Sequence, residues 1–422
     1  MQVKLKGEIY VPGDKSISHR AIMFSSIAKG NTLIKGFLKA EDTMSTIKCF
    51  ENMGVEILFE NEDVLVKGVG KYGLNAPSQI LNVGNSGTTM RLISGILAGQ
   101  KFESNLDGDN SIRKRPMKRI IDPLSLMGAV FEAEGGNFAP FKIKGRELQG
   151  ITYDMPIASA QVKSAIILAG LYANGETKII ETIKTRDHTE RMLKSMGVDL
   201  KVDKNQIVVK NSDLYTADEI LVPRDISSGA FFMVAASILK GSEIILKDMI
   251  LNETRSGILE VMKNMGAKLE ILDEKLVCNE KIGDVKVSYS KELHGCDISS
   301  DIIPSLIDEI PIIALLASQA EGITKIRGAS ELRVKESDRI KTTVSNLRLM
   351  GVDIEELDDG MIIKGKSNLK ASSELKAGLD HRIGMMLSVA SLLEGQNSKI
   401  SGLDSIKTSF PNFFEILKII SA

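Results

Sequence analysis

Hydrophobic and polar positions follow a pattern that recurs six times along the chain. In each unit an apolar stretch with helical spacing ends at a glycine, and a short alternating stretch follows. The six glycines lie 66 to 81 residues apart, at Gly30, Gly99, Gly175, Gly241, Gly322 and Gly395. A glycine just past the last apolar position commonly ends a helix, and alternation with a period of two predicts a strand. The pattern therefore predicts six repeated helix–strand units.

A second helix is predicted in five of these units by the dipeptide Met-Gly. It occurs at positions 53–54, 127–128, 196–197, 265–266 and 350–351. Alternating residues follow it, as in 198–202 and 207–210. Each unit is therefore expected to run strand, helix, strand, helix and strand pair, and the sixth is cut short at Phe413–Ile420.

Six such units could form one solenoid or two closed bodies of three, and two similar segments favour the second arrangement. Residues 10–14 and 221–225 are both extended stretches with a proline just before a predicted helix. Taken as paired crossovers, they predict a first three-repeat domain at 14–223. A discontinuous second domain would comprise 1–13 and 224–422, with a hinge at the two crossovers. The expected fold class is α/β, with small mixed sheets covered by helices.

The composition agrees with two domains and excludes several classes of function. At 422 residues the chain exceeds one ordinary core, and 43% of it is hydrophobic. No apolar run is long enough to span a membrane, and the first residues do not resemble a signal peptide. The 54 basic residues balance 55 acidic ones and tryptophan is absent, which argues against nucleic-acid binding. We therefore expect a soluble, cytoplasmic protein that binds neither membranes nor nucleic acid.

Three cysteines, Cys49, Cys278 and Cys296, are too few and too scattered for a disulfide framework or a metal site. The histidines His19, His188 and His381 show no zinc-like spacing either. The sequence therefore predicts no bound metal.

The polar residues gather where the predicted helices begin. The first helices of the six units are predicted to start at 15–16, 85–88, 159–161, 225–228, 308–309 and 380–382. Caps account for the Ser, Thr, Asp and Asn there, but not for the cations, which are Lys15, Arg20, Arg115, Lys335, Arg339, Arg382 and Lys407. A cation near a helix N-terminus opposes the helix dipole at a cost of roughly 0.3–1 kcal/mol. The repetition of cations at helix starts predicts a site for two small anions that each carry a phosphate and a carboxylate.

Each motif also has a purely structural interpretation. Residues 84–89 could form a plain tight turn, because their spacing fits neither a P-loop nor a dinucleotide motif. Asp308 and Glu309 could simply begin a helix, and 333–339 could be a solvated run of charges. The three histidines could cap or pack. The recurrence of charged helix starts, rather than any one of them, favours a functional site.

At these positions the sequence resembles the 5-enolpyruvylshikimate-3-phosphate synthase family of enolpyruvyl transferases. The resemblance spans the chain and rests on residues 13–20, 84–91, 114–117, 159–161, 333–339, 380–382 and 409–411. It implies a two-domain inside-out α/β barrel of six βαβαββ repeats, three per domain. It also implies transfer of the enolpyruvyl group of phosphoenolpyruvate to the 5-hydroxyl of shikimate 3-phosphate. Phosphate is released in this step, which belongs to chorismate and aromatic amino-acid biosynthesis.

The resemblance further implies which residues bind the two substrates. Shikimate 3-phosphate would be held by Lys15, Ser16, Arg20, Ser159, Gln161, Asp308 and Lys335. Phosphoenolpyruvate would be held by Lys15, Gly87, Arg115, Gln161, Arg339, Arg382 and Lys407. Two positions depart from the family pattern: Ala160 stands where a second serine is frequent, and Glu331 where asparagine is frequent. The roles of Arg186 and His188, which resemble a subgroup of the family, stay open.

The chemistry needs two proton transfers and a stabilised intermediate. The phosphoenolpyruvate methylene gains a proton and the 5-hydroxyl loses one, and phosphate leaves a tetrahedral intermediate. Asp308 is the candidate base, Glu336 the candidate acid, and Lys15 a candidate proton donor and charge stabiliser. Which group carries which proton stays open. No metal or organic cofactor is required.

Two alternative functions are kept. The UDP-N-acetylglucosamine enolpyruvyl transferases share the implied fold, but they carry a loop cysteine and Lys-Asn at the first helix. This chain has Lys15 and Ser16 there, and no cysteine in the loop before Arg115. A non-enzymatic RNA-binding repeat protein could also use clustered cations, but the balanced charge opposes it. We expect a monomer whose two domains close on shikimate 3-phosphate, because the implied contacts come from both.

Overall fold

The computed structural model describes residues 3–395 and 397–421 and divides the chain into two compact units. We call Gly13–Val222 with Val277–Glu280 the central unit. The terminal unit consists of Met1–Pro12, Pro223–Leu276 and Lys281–Ala422. Of the ranges predicted for the second domain, residues 1, 2, 396 and 422 lie outside the described residues.

The boundaries differ from the predicted ones at three places. Gly13 groups with the central unit, Pro223 with the terminal unit, and the short segment Val277–Glu280 joins the central unit. The grouping of Val277–Glu280 with the central unit has a structural cause. His188 Nδ1 lies 2.8 Å from Glu280 Oε1 with both side chains buried, and Arg191 Nη1 donates to the Asn279 carbonyl at 3.0 Å. No local sequence signal reveals such a long-range partner.

The helices begin and end close to the caps and glycines of the sequence pattern. The α-helices are α1 Lys15–Ile27, α2 Glu41–Glu51, α3 Gly87–Ala98, α4 Lys118–Leu126, α5 Ala160–Gly170, α6 His188–Ser195, α7 Ile226–Ile238, α8 Gly257–Asn264, α9 Ile303–Leu306, α10 Ile310–Gln319, α11 Arg339–Leu349, α12 His381–Leu393 and α13 Phe413–Ile420. Short 3₁₀ segments lie at Ile112–Lys114, Ile307–Glu309, Ser330–Val334 and Leu403–Thr408.

Side-chain caps fix most of the helix starts that matter for function. Asp14 accepts from the Ile17 amide at 2.8 Å at the start of α1, and Asp380 accepts from the Arg382 amide at 3.0 Å at the start of α12. Removal of such a cap costs about 0.5–2 kcal/mol. The helix predicted to start at Asp308 instead begins at Ile310, because 307–309 form a separate 3₁₀ turn.

The strands are short and follow the predicted alternation. They are β1 Lys6–Ile9, β2 Lys29–Lys35, β3 Glu56–Glu60, β4 Asp63–Val69, β5 Leu81–Asn82, β6 Glu103–Asp107, β7 Val130–Glu134, β8 Phe138–Lys144, β9 Thr152–Asp154, β10 Glu176–Ile180, β11 Leu200–Asp203, β12 Gln206–Lys210, β13 Glu219–Leu221, β14 Glu243–Ile250, β15 Lys268–Val277, β16 Glu280–Ser288, β17 Asp297–Ile298, β18 Ile323–Ile326, β19 Asp353–Leu357, β20 Gly360–Lys364, β21 Leu375–Lys376 and β22 Ile400–Ser401.

The strands form small mixed sheets. In the central unit the orders are β13-β2-β4-β3, β5-β6-β8-β7 and β9-β10-β12-β11, and in each the first pair is parallel and the others antiparallel. In the terminal unit they are β1-β14-β16-β15, β17-β18-β20-β19 and the parallel pair β21-β22. The N-terminal strand β1 pairs in parallel with β14, Lys6 opposite Glu243, so both ends of the chain contribute to the terminal unit.

Helices α1, α3 and α5 of the central unit and α7, α10 and α12 of the terminal unit are buried almost all round. A helix that is apolar on every side belongs in the interior of its unit. The first turns of α1, α3, α5 and α12 nevertheless carry polar side chains, and the candidate residues Lys15, Ser16, Gly87, Gln161 and Arg382 lie there. In the described part of the chain, no helix combines the length and apolar composition needed to cross a bilayer.

Candidate active site

In the central unit, Lys15 and Ser16 lie in the first turn of α1, and both are half-buried. The Lys15 ammonium forms an ion pair with Asp42, a buried residue in the first turn of α2. The carboxylate of a neighbouring helix therefore holds a cation at a helix N-terminus, where the dipole alone would disfavour it.

Arg20 lies one turn further along α1 and is buried. Its Nε donates to Thr189 Oγ1 at 2.7 Å, its Nη2 to Ser164 Oγ at 3.0 Å and its Nη1 to the Ser16 carbonyl at 2.9 Å. Burial lowers the pKa of the guanidinium to about 10, although Glu190 and Asp14 oppose that shift. Arg20 is thus a cation at neutral pH, fixed between α1, α5 and α6.

Gly87, Arg115 and Gln161 come together around the start of α3. A Cβ on Gly87 would lie 3.1 Å from Arg115 Nη1 and 3.5 Å from Arg91 Nη1. Gln161 Oε1 accepts from Arg91 Nη1 at 2.5 Å, and its Nε2 donates to Thr88 Oγ1 at 3.0 Å. The bare backbone of Gly87 therefore lies beside two guanidinium groups, an arrangement suited to a phosphate or carboxylate.

Arg91 was not assigned a role from the sequence. Its position four residues after Gly87 was the available signal, since such residues share a helix face. Arg115 is similarly buried, and its Nη2 forms a hydrogen bond with Asn85 Oδ1. Ser159 caps α5, and its Oγ accepts a hydrogen bond from the Val162 amide at 3.4 Å. This is the capping role that the sequence pattern predicts for serines at helix starts.

In the terminal unit, one arginine joins both candidate proton carriers. Arg339 is 1% exposed, and its Nη1 donates to Asp308 at 3.1 Å, its Nη2 to Glu336 at 2.6 Å and its Nε to Asp380 at 2.8 Å. Burial opposes the charge, but Asp380, Glu336 and Asp308 raise the pKa of the guanidinium above its ordinary value. Arg339 is therefore a permanent cation between the two candidate carriers.

Two further predicted cations lie near Asp308. Lys335 Nζ is 3.5 Å from Asp308 Oδ1, and Arg382 Nε is 4.0 Å from the same oxygen. Together with Arg339 they place three cations within 4.0 Å of one carboxylate oxygen. Such a cluster provides positive groups for an anion beside Asp308.

The structure does not bring Lys407 into this cluster. Lys407 ends the 3₁₀ segment Leu403–Thr408 and pairs with Asp404 at 3.1 Å, with 70% of its own side chain exposed. An exposed pair of this kind contributes little to stability, so the ammonium is easily redirected to another anion.

Of the two residues whose roles were left open, His188 is buried and bonded to Glu280. The positive charge of Arg186 lies close enough to Arg20 to contribute to the lowering of its pKa. In residues 3–395 and 397–421, no His, Cys, Asp and Glu side chains are grouped so that they could hold a metal ion.

The chain is similar over nearly its whole length to known proteins. Residues 1–417 match a family model described as EPSP synthase (3-phosphoshikimate 1-carboxyvinyltransferase). Curated 3-phosphoshikimate 1-carboxyvinyltransferases from Bacillus pumilus and Bacillus subtilis are each 50% identical over 418 residues, which is 99% of this chain and 97% of theirs.

Solved structures give the same result. An EPSP synthase from Acinetobacter baumannii superposes with a TM-score of 0.89 at 45% identity, covering 100% of this chain and 96% of that one. The enolpyruvyl transferase NikO from Streptomyces tendae superposes with a TM-score of 0.79, covering 99% and 95%. At 14% identity, this second likeness shows the shared mixed α/β fold alone.

Proposed function

Since this chain belongs to the EPSP synthase family, we propose that it transfers the enolpyruvyl group of phosphoenolpyruvate to the 5-hydroxyl of shikimate 3-phosphate. The resemblance found in the sequence is thereby confirmed. Besides family membership, one structural observation supports the proposal. The guanidinium of Arg339 donates hydrogen bonds to both Asp308 and Glu336. A buried cation bonded to both carboxyl groups fixes their positions relative to each other, which suits a reaction that moves two protons.

The finer description of the fold is part of this proposal. We take each unit as an inside-out α/β barrel of three βαβαββ repeats, six in all. Two features of each unit support that description. Each unit has three sheets, and each has three helices that are buried almost all round. The sixth repeat is abbreviated, because its sheet is the two-stranded pair β21-β22.

The substrate contacts are proposed from the resemblance, and the groups of residues around Arg20, Gly87 and Arg339 support the proposal within each unit. For shikimate 3-phosphate they are Lys15, Ser16, Arg20, Ser159 and Gln161 of the central unit and Asp308 and Lys335 of the terminal unit. For phosphoenolpyruvate they are Lys15, Gly87, Arg115 and Gln161 of the central unit and Arg339, Arg382 and Lys407 of the terminal unit. Buried arginines with fixed orientation favour these anions, because the guanidinium fork matches carboxylate and phosphate oxygens.

The proposed mechanism is addition followed by elimination. Asp308 accepts the proton of the 5-hydroxyl as its oxygen bonds to the central carbon of phosphoenolpyruvate, and Glu336 delivers a proton to the methylene carbon. Glu336, now a carboxylate, then takes a proton from the resulting methyl group of the tetrahedral intermediate while the C–O bond to phosphate breaks, which restores the double bond. The proton held by Asp308 leaves with the phosphate. Lys15 stabilises the charge that develops at the leaving phosphate, for which it must exchange its pairing with Asp42.

Phosphate release tests the proposed function directly. We expect inorganic phosphate to appear only when phosphoenolpyruvate and shikimate 3-phosphate are supplied together, with each substrate alone as the control. A matched reaction replaces shikimate 3-phosphate with UDP-N-acetylglucosamine, the acceptor of the alternative enolpyruvyl transferase. Release with the sugar nucleotide and not with shikimate 3-phosphate would contradict the proposal. We further propose that the protein is a cytoplasmic monomer. Sedimentation of the purified protein would test the oligomeric state.

A further inference from the structure

A second charged cluster is buried directly beside the candidate carboxylate Asp308 in the terminal unit. Glu309, the next residue, is 0% exposed, although a lone buried carboxylate is costly. Arg255, Asp225 and Ser227 surround it and are themselves buried. Neither the sequence pattern nor the family resemblance assigns any of these four residues a role in binding or catalysis.

One oxygen of Glu309 makes all of its contacts. Glu309 Oε1 accepts a hydrogen bond from Ser227 Oγ and one from Arg255 Nη1 at 3.1 Å. Arg255 Nη2 in turn donates to Asp225 Oδ1 at 3.0 Å, and Asp225 is the cap of α7. Among the described residues Glu309 Oε2 has no hydrogen-bond partner. The orientation of this carboxylate is therefore set from α7 and from the start of α8.

The same oxygen also lies near Arg382. Glu309 Oε1 is 3.9 Å from Arg382 Nη1, while Asp308 Oδ1 is 4.0 Å from Arg382 Nε. Two successive carboxylates thus flank one guanidinium on two sides. Both distances are too long for hydrogen bonds, so these carboxylates attract and orient the group without using its N–H donors.

Arg382 differs in this respect from Arg339. Arg339 uses Nε, Nη1 and Nη2 on three carboxylates. Across residues 3–395 and 397–421, no hydrogen bond from the Arg382 side chain to another protein group is found. The backbone amide of Arg382 donates to Asp380. Arg382 is therefore a buried, oriented cation whose donors remain available to an incoming carboxylate.

We propose that Glu309 is a positioning residue, which holds the Arg382 guanidinium in the orientation that binds the carboxylate of phosphoenolpyruvate. This inference rests on the proposed function. Without the negative charge of Glu309, Arg382 is attracted by Asp308 alone and closes the remaining gap to it. That movement withdraws the donors from phosphoenolpyruvate and engages the base.

The test begins with Glu309→Gln, which keeps the shape and the hydrogen bond to Ser227 but removes the charge. We expect the KM for phosphoenolpyruvate to rise about tenfold, as for other coupled neighbours, while the KM for shikimate 3-phosphate is roughly unchanged. The matched control is Glu181→Gln, which removes an equally buried carboxylate from its ion pair with Lys163 in the central unit. The control reports on lost stability alone, and its KM for phosphoenolpyruvate should stay at the parent value.

A double-mutant cycle separates positioning from a merely structural role. If Glu309 acts through Arg382, Glu309→Gln adds nothing to the KM for phosphoenolpyruvate in an Arg382→Ala background. Equal effects in both backgrounds, or equal rises of KM for both substrates, would overturn the inference. Ser227→Ala, which loosens Glu309 without removing its charge, gives the same cycle if Glu309→Gln does not fold. A parent protein without phosphate release refutes the proposed function and this inference with it, whereas an active parent with an additive cycle refutes the inference alone.

Discussion

At the scale of single residues, the base can be tested by a change that preserves shape. Asp308→Asn removes the proposed proton acceptor and leaves Arg339 and Lys335 with a neutral partner. We expect turnover to fall by roughly two to four orders of magnitude while shikimate 3-phosphate still binds. Binding can be measured by calorimetry, since the chain has no tryptophan for fluorescence.

The matched control for that variant is Asp353→Asn. Asp353 forms an exposed ion pair with Lys364 in the same unit, so its loss should alter neither turnover nor binding. Near-normal turnover of Asp308→Asn would remove Asp308 from the mechanism.

Gly87 can be tested by the smallest possible addition. A methyl group there would lie 3.1 Å from Arg115 Nη1, which is closer than an ordinary contact, and 3.5 Å from Arg91 Nη1. We expect Gly87→Ala to raise the KM for phosphoenolpyruvate and to weaken inhibition by glyphosate, the phosphoenolpyruvate-like inhibitor of the family, still more. The KM for shikimate 3-phosphate serves as the internal control. Unchanged constants for both phosphoenolpyruvate and glyphosate would place Gly87 outside the pocket.

The sequence predicts the charged positions of the site better than it predicts their partners. A cation at a helix start is visible in the sequence because it opposes the dipole, and Lys15 and Arg339 were found in this way. Their partners Asp42 and Asp380 lie on other elements, so only the folded chain identifies them. Lys407 shows the limit of this signal, because it was selected in the same way and yet lies in an exposed pair apart from the others.

At the scale of elements, hydrogen bonds between side chains join three helices of the central unit. His19 Nδ1 on α1 lies 2.7 Å from Thr46 Oγ1 on α2, which lies 2.7 Å from Thr89 Oγ1 on α3. Thr89 in turn donates to Ser86 Oγ, the cap of α3, at 2.7 Å. These bonds hold the start of α3, and with it Gly87, against α1 and α2.

This arrangement predicts a pH dependence of stability. Burial, with help from Lys15 and Arg20, lowers the pKa of His19 well below its ordinary value, against the opposing charge of Asp14. Below about pH 6.5 the unfolded chain therefore binds a proton that the folded chain refuses, and the free energy of unfolding falls as the pH falls. The expected slope is up to about 1.4 kcal/mol per pH unit.

His19→Asn keeps a partner for Thr46 and cannot titrate in this range. Urea unfolding of the parent and of this variant between pH 7 and pH 5 measures the difference. We expect the free energy of unfolding to fall less steeply on acidification for the variant than for the parent. The difference in slope should correspond to at most one bound proton, about 1.4 kcal/mol per pH unit. Parallel pH profiles for the two proteins would show that His19 does not carry this dependence.

Local signals account for the elements that the sequence predicts correctly. A capping aspartate or serine and a terminal glycine act within a few residues, and they locate α1, α3 and α12. The start of α10 was predicted two residues early because the 3₁₀ turn Ile307–Glu309 precedes it and Pro311 already suits a first turn. The grouping of Val277–Glu280 with the central unit depends on the contact of Glu280 with His188, a pairing across 92 positions.

At the scale of the whole molecule, the residues proposed to contact each substrate come from both units. Shikimate 3-phosphate is assigned five residues of the central unit and Asp308 and Lys335 of the terminal unit. A ligand that must engage both sets binds best to the conformation in which both reach it, which is the requirement for a population shift.

We therefore predict that shikimate 3-phosphate alone makes the protein more compact and that phosphoenolpyruvate alone does so much less. We propose the hinge near Pro12 and Pro223, two of the four places where the chain passes between the units. Small-angle scattering of the parent protein with each ligand measures the radius of gyration. Lys335→Ala is the matched variant, because it removes a terminal-unit contact and should reduce the change at equal occupancy. An unchanged radius at saturating shikimate 3-phosphate, in a protein shown by calorimetry to bind it, would rule out closure by this ligand.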